Sequence, residues 1–222
     1  MRRRRRNSPP PQVIFLDAVG TLFGVRGSVG QIYCDVAEQF GVTADARAVD
    51  DAFFQSFKAA PPMAFPNVDV TEIPGREFAW WRAIAVQTFQ QVQVFDHFTD
   101  FSAFFDALYA YFATAKPWFL YSDITTALPY WKDRDIQLGI ISNFDSRLYQ
   151  VLEALDLGQY FESVTISTEI GAAKPNPKLF LAALQKHDCP PEAAWHIGDS
   201  FKEDYEGANA AGIRGIWLNR AD

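Results

Sequence analysis

Short apolar runs alternate with stretches of helical periodicity over much of the chain. Five runs of four to six residues are rich in β-branched or aromatic side chains, which is typical of buried strands. They span residues 13–16, 137–142, 163–167, 194–197 and 214–218, and the helices predicted among them span 122–132, 146–155, 177–186 and 203–211. Strands that alternate with helices pair in parallel, so we expect a doubly wound, Rossmann-like α/β sheet.

One long segment, residues 24–116, interrupts this alternation after the first predicted strand. Apolar residues recur in it at helical spacing, none of it predicts a strand, and four prolines between positions 59 and 75 indicate a loop. The predicted helices span 29–40, 45–58, about 76–92 and about 100–114. We therefore expect an all-helical domain at 24–116, inserted into an α/β core that is formed by 13–23 and 117–222.

Aromatic residues are clustered in this helical segment. We interpret them mainly as packing between the helices, with a few side chains facing the cleft toward the core. The clusters are Phe53–Phe54, Trp80–Trp81 and Phe104–Phe105.

Composition and charge narrow the range of partners. Hydrophobic residues make up 49% of the 222 positions and charged residues 21%, so the chain can bury a core and should be globular. The formal net charge of −7 includes +5 from Arg2–Arg6, so the remainder carries −12 and is a poor match for nucleic acid. No apolar run reaches 18 residues, which argues against a membrane span. Cys34 and Cys189 stand far apart, as is typical of a reducing, cytoplasmic environment.

The first 12 residues combine five arginines with three prolines and carry no apolar face. We predict that residues 1–12 form a disordered, solvated tail. The run of arginines also allows a localisation signal or an anion-binding arm.

Polar residues of complementary chemistry follow the predicted strands. They are Asp17, Ser142 with Asn143, Lys174, and Asp199 with Asp204. These side chains can converge, because the carboxyl ends of parallel strands meet at one edge of a sheet. A carboxylate can be a nucleophile, a hydroxyl group and backbone NH groups can hold phosphate oxygens, and a lysine neutralises charge. Carboxylates also bind Mg²⁺, which in turn ligates substrate phosphate, so the inventory predicts phosphoryl transfer.

At these residues the chain resembles a known family. Asp17-Ala18-Val19-Gly20-Thr21, Ser142-Asn143, Lys174-Pro175 and Gly198-Asp199 with Asp204 resemble, in the same order, the four motifs of the haloacid dehalogenase-like (HAD) hydrolase superfamily. The stretches SNFDSRL, GAAKPNPKLF and HIGDSFKEDYEGANAAG are most similar to the branch of the rhythmically expressed gene 2 protein. The predicted helical insert stands where the helical cap of that superfamily belongs.

The resemblance implies a metal site. Asp17 would attack phosphorus and form an aspartyl-phosphate that water later hydrolyses. Mg²⁺ would be held by the Asp17 carboxylate, the backbone carbonyl of Val19 and Asp199. Asp204 would be a further ligand or would brace the site from outside the ligand shell.

The resemblance also implies a phosphate-binding group. Ser142 and the backbone of Asn143 would hold the phosphoryl group of a small phosphorylated substrate, and Lys174 would lie beside Asp17. Asp17, Ser142 and Lys174 would then be the catalytic residues. His196 falls inside a predicted strand, so we interpret it as a packed residue rather than a catalyst.

Position 19 departs from the family pattern. Phosphatases of this superfamily usually carry a second aspartate two residues after the nucleophile as acid and base, and here that residue is Val19. Metal binding survives in principle, because the metal needs only the backbone carbonyl. A positioned acid or base is typically worth about 10²–10⁴-fold in rate, so the loss matters.

Three interpretations follow. The chain is a Mg²⁺-dependent phosphatase that is weak or specialised, acting on esters with good leaving groups or taking its acid from the cap. Alternatively, it is a non-catalytic relative that binds a ligand or partner. The third interpretation is haloacid dehalogenase or phosphonatase chemistry. The phosphonatases rely on a lysine of the cap, and Lys58 is the only lysine between Asp17 and Lys116.

Overall fold

Parallel strands form the centre of the structure. The computed structural model describes residues 10–220, so residues 1–9 of the predicted tail lie outside the described residues. The strands are β1 (Val13–Leu16), β2 (Phe23–Val25), β3 (Trp118–Leu120), β4 (Gln137–Ser142), β5 (Ser163–Ile166), β6 (Ala194–Gly198) and β7 (Arg214–Trp217). Five of them form a sheet in the order β5-β4-β1-β6-β7, and each neighbouring pair in it is parallel. The predicted α/β sheet is confirmed.

β1 is the central strand, and both of its faces are covered. Val13 and Phe15 pack on one side of the sheet and Ile14 and Leu16 on the other, because successive side chains of a strand alternate. All four are at most 1% exposed, which explains why this strand is a continuous apolar run. Leu16 is paired with both β4 and β6, so the residues that follow these three strands share one edge of the sheet.

The chain between β2 and β3 is helical. Its helices are α1 (Val29–Glu38), α2 (Ala46–Ala59), α3 (Ile73–Gln91) and α4 (Phe101–Tyr111), with 3₁₀ turns at Val70–Glu72 and Phe95–His97. α3 begins inside the predicted loop, because Pro74 occupies its first turn, where a missing NH group costs no hydrogen bond. The packing interpretation is confirmed for Phe104, which is completely buried, whereas Phe54, which is 46% exposed, is one of the few aromatic side chains that face the cleft toward the core.

Further helices cover the two faces of the large sheet. They are α5 (Ile124–Lys132), α6 (Arg147–Ala154), α7 (Ser167–Ile170), α8 (Pro177–Lys186) and α9 (Gly207–Ala210). α5 and α6 pack on the side of Leu16, whereas α8 and α9 pack on the side of Phe15. The helix predicted at 203–211 is divided into a π-helix, Phe201–Glu206, and α9. In the described part of the chain, none of the helices is long and apolar enough to cross a bilayer.

A two-stranded ribbon was missed by the sequence analysis. β2 extends through Val25 and pairs antiparallel with β3, with Gly24 opposite Phe119. The expectation of no strand after position 23 in this segment is therefore wrong. Each strand of the ribbon has three residues, which is too short for an alternating pattern to be recognised. The ribbon joins the two connections between the sheet and the helical segment.

Gln12 is part of the folded chain, although we assigned it to the tail. Its backbone NH donates to the Ala193 carbonyl at 2.8 Å, and its carbonyl accepts from the Gln137 NH at 3.1 Å. These bonds extend the pairing of β1 with its neighbours by one residue, so the prediction of a disordered tail is wrong at this position.

Candidate active site

Asp17 and Ser142 meet at the edge of the sheet. Asp17 directly follows β1, Ser142 is the last residue of β4, and the two strands are neighbours. The Ser142 hydroxyl donates to Asp17 Oδ1 at 3.0 Å, and both residues are buried. The backbone NH of Asp17 donates to the Ile197 carbonyl at 2.9 Å, which fixes the carboxylate at the point where β1 ends.

Lys174 joins two buried carboxylates. Its Nζ lies 2.6 Å from Asp17 Oδ1 and 2.5 Å from Asp204 Oδ1. Burial alone would lower the pKa of Lys174, but the two carboxylates outweigh it and raise the pKa above its usual value. Burial raises the pKa of Asp17, and the lysine opposes that shift. The lysine is therefore held as a cation beside the proposed nucleophile.

Asp204 accepts hydrogen bonds from three protein donors. Its Oδ1 accepts from Lys174 and from His196 Nε2 at 2.8 Å, and its Oδ2 accepts from the Ser200 NH at 3.0 Å. Burial would raise the pKa of Asp204, but Lys174 and His196 outweigh burial and hold it well below the usual range. A Cβ atom at Gly198 would collide with the Asp204 carboxylate, so only glycine fits beside it. Asp204 therefore fits the bracing role better than that of a ligand.

Asp199 completes a group of three carboxylates. One carboxylate oxygen of each of Asp17, Asp199 and Asp204 lies within 4.8 Å of the others. Asp199 is the exposed member, and partial loss of hydration together with the charges of the other two raises its pKa to about 6. Gly20 has a φ of +87°, and a Cβ atom there would overlap the Asp199 carboxylate. Glycine at position 20 is thus required by both the backbone and the site.

Asn143 organises the backbone around Lys174. Its side-chain Oδ1 accepts from the Lys174 NH at 2.7 Å, and its Nδ2 donates to the Lys174 carbonyl at 3.1 Å. Nδ2 also lies 3.2 Å from Glu203 Oε2. The side chain is therefore committed to the protein, which leaves the backbone as the part of Asn143 that could hold a phosphoryl group.

A cavity of about 890 Å³ lies above these residues. Asp17, Val19, Ser142, Lys174 and Asp199 line it on the side of the sheet, together with Asn143 and Asp204. Side chains of α1 to α4 form the opposite wall. All the predicted site residues therefore face one cavity between the sheet and the helical segment. Lys58, the lysine singled out for phosphonatase chemistry, also lines this cavity.

His196 is a packed residue that also contacts the site. It is completely buried, as its position in a strand predicts, and its ring packs edge-on against Phe180 at 5.3 Å. Its bond to Asp204 was missed, because nothing in the local sequence signals a polar partner eight positions later. Burial lowers the pKa of His196, and Nδ1 is buried without a hydrogen-bond partner.

The loop after β4 connects the site to α3. Asp145 is completely buried and accepts from Trp81 Nε1 at 2.6 Å and from the Arg147 guanidinium at 2.8 and 2.6 Å. The backbone NH of Ser146 donates to Glu77 at 2.9 Å. Sequence analysis missed these residues, and the only available signal was that Asp145 and Ser146 closely follow the second motif.

Comparison with known proteins identifies the family of this chain. A family model described as haloacid dehalogenase-like hydrolase matches residues 11–212. The chain belongs to this family. The HAD-like hydrolase domain-containing protein 3 of Mus musculus is 32% identical over 198 residues, covering 89% of this chain and 77% of that protein. The rhythmically expressed gene 2 protein of Drosophila melanogaster is 28% identical over 212 residues, covering 90% and 80%, so the predicted resemblance is confirmed.

Other HAD-like proteins share part of the sequence or the fold. A glyceraldehyde 3-phosphate phosphatase of Methanopyrus kandleri is 34% identical over 110 residues, which covers 49% of this chain and 46% of that enzyme. The L-2-haloacid dehalogenase of Xanthobacter autotrophicus superposes with a TM-score of 0.70 at 18% identity, covering 96% of this chain and 79% of that one. A HAD phosphatase of Thermococcus onnurineus gives a TM-score of 0.61 at 22% identity, covering 94% and 86%. At these identities, the two solved structures establish the HAD fold alone.

Proposed function

We propose that this HAD-like hydrolase is a Mg²⁺-dependent phosphatase of a small phosphorylated metabolite and works through an aspartyl-phosphate on Asp17. The observation that carries the proposal is the convergence of Asp17, Lys174 and Asp199 at the floor of one cavity. The partial match to an enzyme named as a phosphatase supports the same reaction class.

The donor set fits Mg²⁺. Carboxylate oxygens are the ligands that this ion prefers, and one carboxylate oxygen of Asp17 lies within 4.8 Å of one of Asp199. Burial, and after it the charge of the neighbouring carboxylates, raises the pKa values of Asp17 and Asp199, and a bound cation would favour their ionised forms. Asp17, Asp199 and the Val19 carbonyl would hold the ion, whereas Asp204 is occupied by protein donors. When bound, Mg²⁺ would supply positive charge to the phosphoryl oxygens.

The protein residues would then act in two steps. A carboxylate oxygen of Asp17 attacks phosphorus while the bond between phosphorus and the leaving oxygen breaks. Lys174 neutralises charge beside Asp17, and the hydrogen bond from Ser142 keeps the carboxylate oriented. Water then hydrolyses the aspartyl-phosphate, which releases inorganic phosphate and restores Asp17. Val19 offers no proton to the leaving group, so the first step depends on how readily that group departs as an anion.

Two other functions have specific observations in their favour. Because position 19 is valine, the usual acid is absent, which favours a binding protein that keeps the fold and the ion pair of Lys174 with Asp17 but does not turn over a substrate. Lys58 lines the cavity, as phosphonatase chemistry with a cap lysine would require. The intact group of Asp17, Lys174 and Asp199 favours phosphatase chemistry over both.

Phosphate release from 4-nitrophenyl phosphate tests the proposal. We expect turnover by the wild type with Mg²⁺, none in EDTA, and none for Asp17→Asn with Mg²⁺. Asp133→Asn, at an exposed position on the far end of α5, is the matched control and should behave as wild type. Turnover that survives in EDTA or in Asp17→Asn would contradict the proposal. Release of halide from 2-haloacids in EDTA would favour a dehalogenase, and Mg²⁺ binding without any turnover would favour a binding protein.

A further inference from the structure

The wall of the cavity that faces the catalytic carboxylate is aromatic. Six of the rings that line it, all on the helical segment, are Tyr33, Phe53, Phe57, Trp80, Trp81 and Tyr109. They come from α1, α2, α3 and α4. Cavities of this composition bind flat apolar groups, with a few polar atoms fixing the orientation.

Several of these rings form a continuous surface. Phe57 stacks on Trp81 with a centroid distance of 5.9 Å and an interplanar angle of 26°, and it meets Trp80 edge-on at 5.8 Å. Trp80 and Trp81 are themselves edge-on at 4.8 Å. Phe57 is nevertheless 41% exposed, so this surface is not covered by the rest of the protein. It lines the same cavity as Asp17, so an apolar surface and the proposed nucleophile border one space.

The two indole NH groups of this wall and the Arg147 guanidinium are committed to the protein. Trp80 Nε1 donates to the Pro61 carbonyl at 2.9 Å, and Trp81 Nε1 donates to Asp145. The Arg147 guanidinium is paired with Asp145 and also donates to the Tyr109 carbonyl at 3.1 Å. A sugar phosphate would have to bury several hydroxyl groups against such a wall, and a buried polar group without a partner is unfavourable.

Val19 restricts the leaving group independently of the wall. With no acid at that position, the leaving oxygen must depart with the electron pair of its bond to phosphorus. A phenol has a pKa of about 10, as in tyrosine, whereas bulk water, the nearest guide to an alkyl alcohol, has a pKa of about 15.7. A phenolate is therefore a much better anion and needs no proton as the bond breaks.

We infer that the substrate is the phosphate monoester of a phenol or similar aryl alcohol, whose ring lies on the aromatic wall. This inference rests on the proposed phosphatase function. Asp17 forms the new bond to phosphorus, the bond from phosphorus to the aryl oxygen breaks, and the phenolate leaves with the electron pair and takes its proton from water. Hydrolysis of the aspartyl-phosphate then yields inorganic phosphate.

Four substrates distinguish the effect of the leaving group from the effect of the aromatic ring. Phenyl phosphate has an aromatic ring and a good leaving group, whereas glucose 6-phosphate has no aromatic ring and an alkyl leaving group. 2-Phenylethyl phosphate has the ring but an alkyl leaving group, and acetyl phosphate has a good leaving group but no ring. We expect kcat/KM for phenyl phosphate to exceed that for 2-phenylethyl phosphate by about 10²–10⁴-fold, the usual value of a positioned acid. Val19→Asp should reduce this ratio to about tenfold or less, because the alkyl ester then receives a proton.

Phe57→Ala tests the wall. Loss of one stacked ring should raise KM for phenyl phosphate about three- to tenfold and should affect acetyl phosphate, which has no ring to bind, much less. Tyr130→Ala removes an exposed aromatic residue on α5 that does not line the cavity, and it should change neither.

The outcomes distinguish this inference from the proposed function. If acetyl phosphate is hydrolysed but glucose 6-phosphate or 2-phenylethyl phosphate matches phenyl phosphate, the inference is wrong and the phosphatase proposal stands. If Phe57→Ala affects phenyl and acetyl phosphate equally, the aromatic wall does not hold the ring. If none of the four substrates is hydrolysed with Mg²⁺, the proposed function fails and the inference fails with it.

Discussion

Lys174 and Asp17 form an ion pair of 2.6 Å in which the lysine is 4% and the aspartate 7% exposed. Lys174→Met would leave Asp17 and Asp204 as buried carboxylates without their cation. Loss of one partner of a buried ion pair typically costs about 3–5 kcal/mol, so we expect this decrease in the free energy of unfolding at pH 7 in EDTA. Denaturant titration measures it.

The same variant has a defined pH dependence. Without the lysine, burial and the charge of Asp204 should hold the pKa of Asp17 further above its unfolded value, so the penalty shrinks as the pH falls and Asp17 takes up a proton. Lys178→Met, at an exposed position on α8, is the matched control, and its free energy of unfolding should decrease little at pH 7 or at lower pH. A Lys174→Met variant as stable as this control would mean that the ion pair does not hold the site together.

How far the sequence predicts this molecule depends on the range of the interactions. The central strands β1 and β4 are buried apolar runs, so they can be recognised from their own residues, whereas β7 at the edge of the sheet is partly exposed. Parallel pairing then brings Asp17, Ser142 and Asp199 to one edge, although they are far apart in the chain. The ribbon of β2 and β3 could not be predicted, since its three-residue strands show no pattern. The hydrogen bond between Trp81 and Asp145 joins residues 64 positions apart in the chain, so no local sequence pattern predicts it.

Gly20→Ala should damage the proposed metal site more than the fold. A Cβ atom at position 20 would overlap the Asp199 carboxylate, and the φ of +87° is strained for alanine. We expect about 1–2 kcal/mol of destabilisation from the backbone and a 10- to 100-fold weaker affinity for Mg²⁺, in the range of about 10–100-fold found when a ligand loses its support. Calorimetric titration with Mg²⁺ measures the second effect.

Gly41→Ala is the control for that variant. Gly41 has a similar φ of +77°, but nothing lies within 4 Å of where its Cβ atom would be. The Gly41→Ala variant should therefore lose about as much free energy of unfolding through its strained backbone, while keeping the wild-type affinity for Mg²⁺. Equal affinities in the two variants would show that Asp199 is not a ligand or that it can move aside freely.

The two neighbouring tryptophans of α3 should differ in their contribution to stability. Trp81 Nε1 donates to the buried carboxylate of Asp145 at 2.6 Å, whereas Trp80 Nε1 donates to the Pro61 carbonyl at 2.9 Å in an exposed position. A hydrogen bond to a charged group is worth about 1.5–3 kcal/mol and an ordinary one about 0.5–1.5 kcal/mol. Trp81→Phe should therefore destabilise the protein more than Trp80→Phe in denaturant titrations. Equal losses would mean that the link between Asp145 and α3 adds nothing beyond ring packing.

His187 should make stability depend on pH at a place remote from the active site. It is buried at the end of α8, with Nε2 2.7 Å from Ser163 Oγ and Nδ1 2.8 Å from Gln137 Oε1. Burial lowers the pKa of His187 from 6.5, with Glu162 opposing the shift and Lys186 adding to it. The unfolded chain therefore binds the proton more tightly than the folded one. The stabilising contribution is complete above pH 6.5 and is lost as the pH falls through the lower folded pKa.

His187→Gln isolates this contribution. The loss of unfolding free energy between pH 7.5 and pH 5 should be smaller in His187→Gln than in the wild type, because glutamine has no proton to bind. If His187→Gln instead loses as much as the wild type, the folded protein binds the His187 proton as readily as the unfolded chain, and its burial has no effect on titration.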